Sequence, residues 1–122
     1  YEIRLSLVGS EMCIRDSYPV FQVIAAMPAA VIPATNMAPE RSLETTNALM
    51  KASEYYNPYA IGVKTGSAQS SGLCLFGAAK ENDTTVITVV LGAGNNLMSD
   101  GTRLKQQFSE TNKLIEMGLA GK

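Results

Sequence analysis

The chain has 122 residues, 46% of them hydrophobic and 17% charged, which suffices for one globular domain with a modest core and is too little for two. A formal charge of -1 and a pI near 5.4 exclude the basic footprint of a nucleic-acid binder, and no basic run marks an anionic membrane surface. Histidine is absent, so a Ser-His-Asp site cannot be assembled from these residues and the commonest metal ligand is missing; neither metal nor organic cofactor is expected.

The first seventeen residues, Tyr1 to Ser17, differ in character from the rest and resemble the conceptual translation of a sequencing adapter. They are set aside from fold reasoning, and residues 18–122, which are charge-balanced, are treated as the domain. Glu2, Glu11 and Asp16 interrupt any apolar run a secretory leader would need. Cys13 falls in this segment, leaving Cys74, in Leu73-Cys74-Leu75-Phe76, as a small buried hydrophobe with no disulfide partner. The longest apolar stretch, Val20 to Ile32, contains Gln22 and Pro28 and is too short to cross a bilayer. Any membrane association would come through parts absent from this chain.

Tyr18 to Met27 is predicted to be a short helix, with Pro19 in its first turn and Phe21, Ile24 and Ala25 on one face until Pro28 stops it. From Ala29 to Met50 the pattern is irregular, and Pro33 and Pro39 predict extended segments joined by turns. One or two helical turns are expected within Leu43 to Lys51. Tyr55, Tyr56 and Tyr59 cluster next, as wall or core packing.

Three strands are then expected in close succession: Ile61 to Ser67, Gly72 to Ala79 and Thr85 to Gly92. Their separators, Gln69-Ser70-Ser71-Gly72 and Lys80-Glu81-Asn82-Asp83, are turn-like, so the strands should form an antiparallel meander. The run Val86 to Leu91 is almost continuously apolar, which predicts a strand covered on both faces. A last helix is expected from Thr102 to Met117, capped by Asp100 and ended by Gly118, with Leu104, Phe108, Thr111 and Ile115 as its buried stripe against one sheet face. The other sheet face would be covered by an upstream segment. The fold class is therefore α+β, an antiparallel sheet packed with helices.

One rival pattern sits in the same region. Gly92-Ala93-Gly94-Asn95-Asn96-Leu97, between a strand and a helix, has part of the spacing of a dinucleotide-binding fingerprint, but Leu97 stands where the third glycine belongs and that fold needs parallel strands.

The chemistry concentrates in Lys64-Thr65-Gly66-Ser67, on the first of the three strands. A cation, a hydroxyl and a residue without a side chain in succession suit a groove that takes an extended peptide ending in a carboxylate. Lys-Thr-Gly is one of three motifs of penicillin-binding proteins and class A β-lactamases. The Ser-x-x-Lys and Ser-x-Asn elements are absent, since no serine from Ser6 to Ser109 has lysine three residues on or asparagine two residues on. Ile32-Pro33-Ala34-Thr35-Asn36, Asn57 to Gly72, Gly77-Ala78-Ala79-Lys80, Val89-Val90-Leu91-Gly92 and Phe108 to Gly118 follow in an order that resembles the C-terminal half of the catalytic domain of serine-type D-alanyl-D-alanine carboxypeptidases, the low-molecular-mass penicillin-binding proteins.

The resemblance implies a fragment of a penicillin-binding-protein/β-lactamase-like transpeptidase domain. Its substrate would be a peptidoglycan stem peptide ending in D-Ala-D-Ala, its inhibitors β-lactam antibiotics, and its location extracytoplasmic. Lys64 would serve as a catalytic and substrate-binding cation, and Thr65 would hydrogen-bond the substrate carboxylate. Gly66 would allow the close approach of the substrate backbone, and Ser67 would supply a main-chain N–H to the oxyanion. The nucleophile and its lysine partner would lie upstream, so the chain by itself should be inactive. A non-catalytic relative that only binds the stem peptide is the alternative.

Overall fold

A computed structural model describes residues 17–97 and 103–121. Except for Ser17, the Tyr1–Ser17 segment lies outside the described residues, as do Asp100 and Thr102. Helix α1, Pro19–Ala25, opens on a proline, whose lost N–H would have been free in a first turn anyway, and closes before Pro28, which cannot continue it. None of its residues is buried, and its apolar side chains Val20, Val23 and Ile24 are largely exposed. Strands β1 (Ala29–Ile32) and β2 (Arg41–Glu44) pair antiparallel, as the proline-punctuated extended pattern predicted.

The helical turns expected within Leu43 to Lys51 shrink to a single 3-10 turn, Ala48–Met50, because Leu43 and Glu44 are taken up by pairing with β1. The turn starts where the Asn47 side chain accepts the Leu49 N–H at 3.1 Å, a local bond that competes with a longer helix.

Strands β3 (Ala60–Ala68), β4 (Gly72–Glu81) and β5 (Thr84–Ala93) form the predicted antiparallel meander, in the order β3-β4-β5. Each strand extends a residue or two beyond its sequence-based limits, which shortens the second turn to Asn82-Asp83, with Asn82 at φ 52°. This antiparallel order rules out the dinucleotide-binding reading. β5 runs back along β4 and leads into a small antiparallel pair, β6 (Asn95–Leu97) with β7 (Arg103–Lys105), where a crossover helix would be required.

Helix α2, Gln106–Ala120, crosses the sheet. It begins four residues later than the expected Thr102, because residues 103–105 are used as strand β7, and Lys105 caps it without a side-chain bond. Its predicted stripe is buried at Phe108, Thr111 and Ile115, joined by Gln107. Gly118 does not end it. The helix runs through Gly118 to a cap at Gly121, and a Cβ at Gly118 would stand 2.6 Å from Val86 Cγ1, so the glycine allows the helix to touch β5. At Gly77 the sheet makes the same concession, since a Cβ there would meet Thr88 Oγ1 at 2.6 Å and Thr111 Cγ2 at 3.0 Å.

The core lies between α2 and the sheet: Leu49 with Ala48 from the 3-10 turn, Leu75 and Ala79 from β4, Phe108 and Ile115 from α2, with Tyr55, Ala60 and Leu119 packed around them. The near-continuous burial expected of β5 belongs instead to β4, which is buried from Leu75 through Ala79. β4 is the middle strand and carries small residues on which neighbours can close. β5 has only Thr88 buried and leaves Leu91 46% exposed, because no described strand lies beyond it.

Candidate active site

The order of the sheet leaves one long side of β3 unpaired among the described residues, and this is the side of Lys64-Thr65-Gly66-Ser67. Register determines how these four residues face. Thr65 pairs with Leu75 and Ser67 with Leu73, so both share the face that meets α2. Lys64 pairs with Phe76 and Gly66 with Cys74, which puts their Cα–Cβ directions on the opposite face. The lysine stem is long enough to return over the strand border, where Nζ donates to the Thr65 carbonyl at 2.5 Å.

All four residues border an open cleft of about 450 Å³, whose other walls are Thr46, Leu73, Lys105, Gln107 and Phe108. The sequence indicated the first wall and gave no sign of the second, which α2 and the segment before the 3-10 turn bring from far along the chain. Among the described residues, the charged side chains lining the cleft are Lys64 and Lys105, and the N-terminal turn of α2 adds its partial positive charge. Such a lining favours an anion. Gln107, 5% exposed, stands in that first turn with its Oε1 unpartnered among the described residues.

Thr65 is half-buried, and its hydroxyl lies 2.7 Å from that of Thr46, nineteen residues earlier. Gly66 is exposed, and a Cβ there would touch only Cys74 Cβ at an ordinary 3.6 Å. The chain's own packing therefore does not demand glycine at 66. Gly62, four residues before, is different: it holds φ +125° and a Cβ would come within 3.0 Å of the Ala25 carbonyl oxygen, so α1 rests directly on the start of β3. Cys74 is half-buried, with its thiol 3.7 Å from the Ser71 carbonyl oxygen.

A polar lattice ties the loop before β3 to α2. Asn57 Nδ2 donates to Asn112 Oδ1 at 2.9 Å, Asn112 Nδ2 donates to the Tyr55 carbonyl at 3.0 Å, and the Tyr59 N–H reaches Asn57 Oδ1 at 3.0 Å. Tyr55 stacks obliquely on Phe108, with centroids 5.5 Å apart, and its hydroxyl accepts the Lys105 N–H at 3.4 Å. Burial, first, and the neighbouring Glu54 hold the Tyr55 phenol above its ordinary pKa. Of the three tyrosines, Tyr55 joins the core, whereas Tyr56 and Tyr59 are exposed. Among the described residues no three His, Cys, Asp or Glu side chains gather as a metal site, and no helix is long and apolar enough to cross a membrane.

No family model matches the sequence. Solved structures do match: a point mutant of the Streptomyces K15 DD-transpeptidase superposes with a TM-score of 0.66 at 27% identity, over 85% of this chain and 37% of that one. The fold is that of the penicillin-binding transpeptidases. A second structure of the K15 enzyme gives 0.64 at 28% identity. Penicillin-binding protein D2 of Listeria monocytogenes, in its cefotaxime-bound form, gives 0.61 at 27%, over 86% of this chain and 36% of that one. This chain thus spans little more than a third of the proteins it resembles.

Proposed function

We propose that this chain contributes the substrate-binding strand of a serine D,D-carboxypeptidase that removes the terminal D-alanine from peptidoglycan stem peptides through an acyl-enzyme. The observation that carries the reading is the unpaired side of β3. There Lys64, Thr65, Gly66 and Ser67 border a cleft whose charged lining is cationic among the described residues, within a transpeptidase fold. A peptide laid along that side adds as an antiparallel strand, its main chain bonded to β3 and its carboxyl end held beside Thr65. Lys64 supplies positive potential and assists proton movement near the nucleophile. Ser67 lends its main-chain N–H to the tetrahedral oxyanion, a donor of a kind typically worth about 2.7–4 kcal/mol.

The attacking serine comes from outside these 122 residues, which hold no Ser-x-x-Lys. β-Lactam antibiotics, which mimic the acyl donor, would acylate the same serine. The activity belongs outside the cytoplasmic membrane, where its substrate is found.

The test is made on a protein that contains this chain together with its upstream half. Incubation with a D-Ala-D-Ala-terminated peptide should release D-alanine, and a labelled penicillin should form a stoichiometric covalent adduct. Peptide binding without release or adduct would instead establish the non-catalytic, stem-peptide-binding alternative. Absence of both binding and reaction would refute the role of the cleft.

A further inference from the structure

Resting on the proposed carboxylate role of Thr65, we propose that Thr46 is a positioning residue that orients the Thr65 hydroxyl proton into the cleft. The two hydroxyl oxygens are 2.7 Å apart, a normal O–H···O distance, and each side chain has a single proton to give. Between the two hydroxyls alone, either atom can be the donor. A carboxylate, which offers only acceptors, removes that freedom: if Thr65 donates to the ligand, its bond to Thr46 persists only with Thr46 as the donor. With the opposite polarity, Thr65 would present lone pairs to an anion.

Thr46 is well held for this task although it is itself exposed. On one side the Thr45 N–H donates to the Pro28 carbonyl at 2.8 Å, and Thr45 Oγ1 accepts the Asn47 N–H at 3.2 Å. On the other side Asn47, Ala48 and Leu49 are buried, Leu49 completely, and Asn47 Oδ1 accepts the Leu49 N–H at 3.1 Å. The segment is thus fixed to the core immediately after Thr46 and to the β1–β2 hairpin immediately before it. A hydroxyl on such a support has little freedom to give up when it bonds, which favours a stable proton direction. The contact joins the segment ahead of the 3-10 turn to β3, two parts of the chain that no local pattern links.

The experiment compares Thr46→Val, Thr46→Ser, Thr65→Val and the Thr46→Val/Thr65→Val double variant, in a protein that contains this chain together with its upstream half. Two substrates are used, a D-Ala-D-Ala peptide with a free terminal carboxylate and its C-terminal amide. Thr46→Val is expected to lower kcat/KM for the free acid by about 3- to 10-fold, the worth of one hydrogen bond, and to leave the amide unchanged. Thr46→Ser should keep the wild-type value, and the double variant should lose no more than Thr65→Val alone, because Thr46 acts only through Thr65. Equal losses on acid and amide would reduce Thr46 to a structural role and overturn the proposal. So would additive losses in the double variant, or a greater loss from Thr46→Val than from Thr65→Val, which would put Thr46 itself on the ligand. A wild-type protein that discriminates acid from amide but is indifferent to Thr46→Val refutes this inference alone. One that neither cleaves the peptide nor reacts with penicillin refutes the functional reading beneath it.

Discussion

At the scale of single residues, strand geometry decides which atoms border the cleft. Thr65 and Lys64 are neighbours on a strand, so their side chains leave opposite faces, and only the length of lysine brings its ammonium back to the Thr65 carbonyl. The hydroxyl is therefore held by the strand and by Thr46, and the ammonium by its bond to the Thr65 carbonyl. In an active protein containing this chain, Thr65→Val should depress turnover of free-carboxylate substrates more than that of amidated ones. Steady-state kinetics on the pair measures it, and equal losses would remove the carboxylate role. Gly66→Val should abolish acylation while leaving the fold nearly intact, since a Cβ there meets only Cys74 Cβ at contact distance. Penicillin labelling together with a thermal melt separates the two effects.

Between elements, the position of the cleft depends on how α2 sits on the sheet. Gly118 and Gly77 remove the bulk that would hold the helix away. Gly118→Val should destabilise the fold by about 1–3 kcal/mol through overpacking against the stiff Val86 side chain. Adding Val86→Ala should recover part of that loss, and a double-mutant cycle in urea reads the coupling. Tyr55 links the same helix to the loop before β3, and its phenol is held above the ordinary value of 10.0 by burial and by Glu54. The raised value in the folded state means the neutral phenol is the favoured form. Its contribution is complete below the unfolded-state pKa and is lost as pH rises through the folded one. Unfolding midpoints followed from pH 8 to pH 11 should fall at the alkaline end, and Tyr55→Phe should flatten that fall.

For the whole molecule, the 122 residues hold a three-stranded meander and a core but no serine in Ser-x-x-Lys spacing. The chain alone should neither hydrolyse a D-Ala-D-Ala peptide nor acquire a covalent penicillin label. Intact-mass measurement after incubation with excess penicillin checks this, and a stoichiometric adduct would show a nucleophile among these residues. A leucine-to-alanine change at Leu75, fully buried in the core between sheet and helix, should cost about 2–5 kcal/mol, read as a lowered midpoint of urea unfolding.

The sequence by itself determined the three-strand meander, because alternation and short polar turns report on neighbours along the chain. It likewise determined the Phe108–Thr111–Ile115 stripe, because helical spacing places those residues on one side. It also singled out Lys64 to Ser67, whose chemistry is legible in order. The tertiary structure alone decided that Thr46, Lys105 and Gln107 form the facing wall, that β4 and not β5 is the strand buried along its length, and that Gly118 is a point of contact instead of a helix end. The physical reason is common to all three. Periodicity fixes which residues of one element share a face, whereas which elements meet is settled by packing between segments tens of residues apart, where small side chains permit close approach.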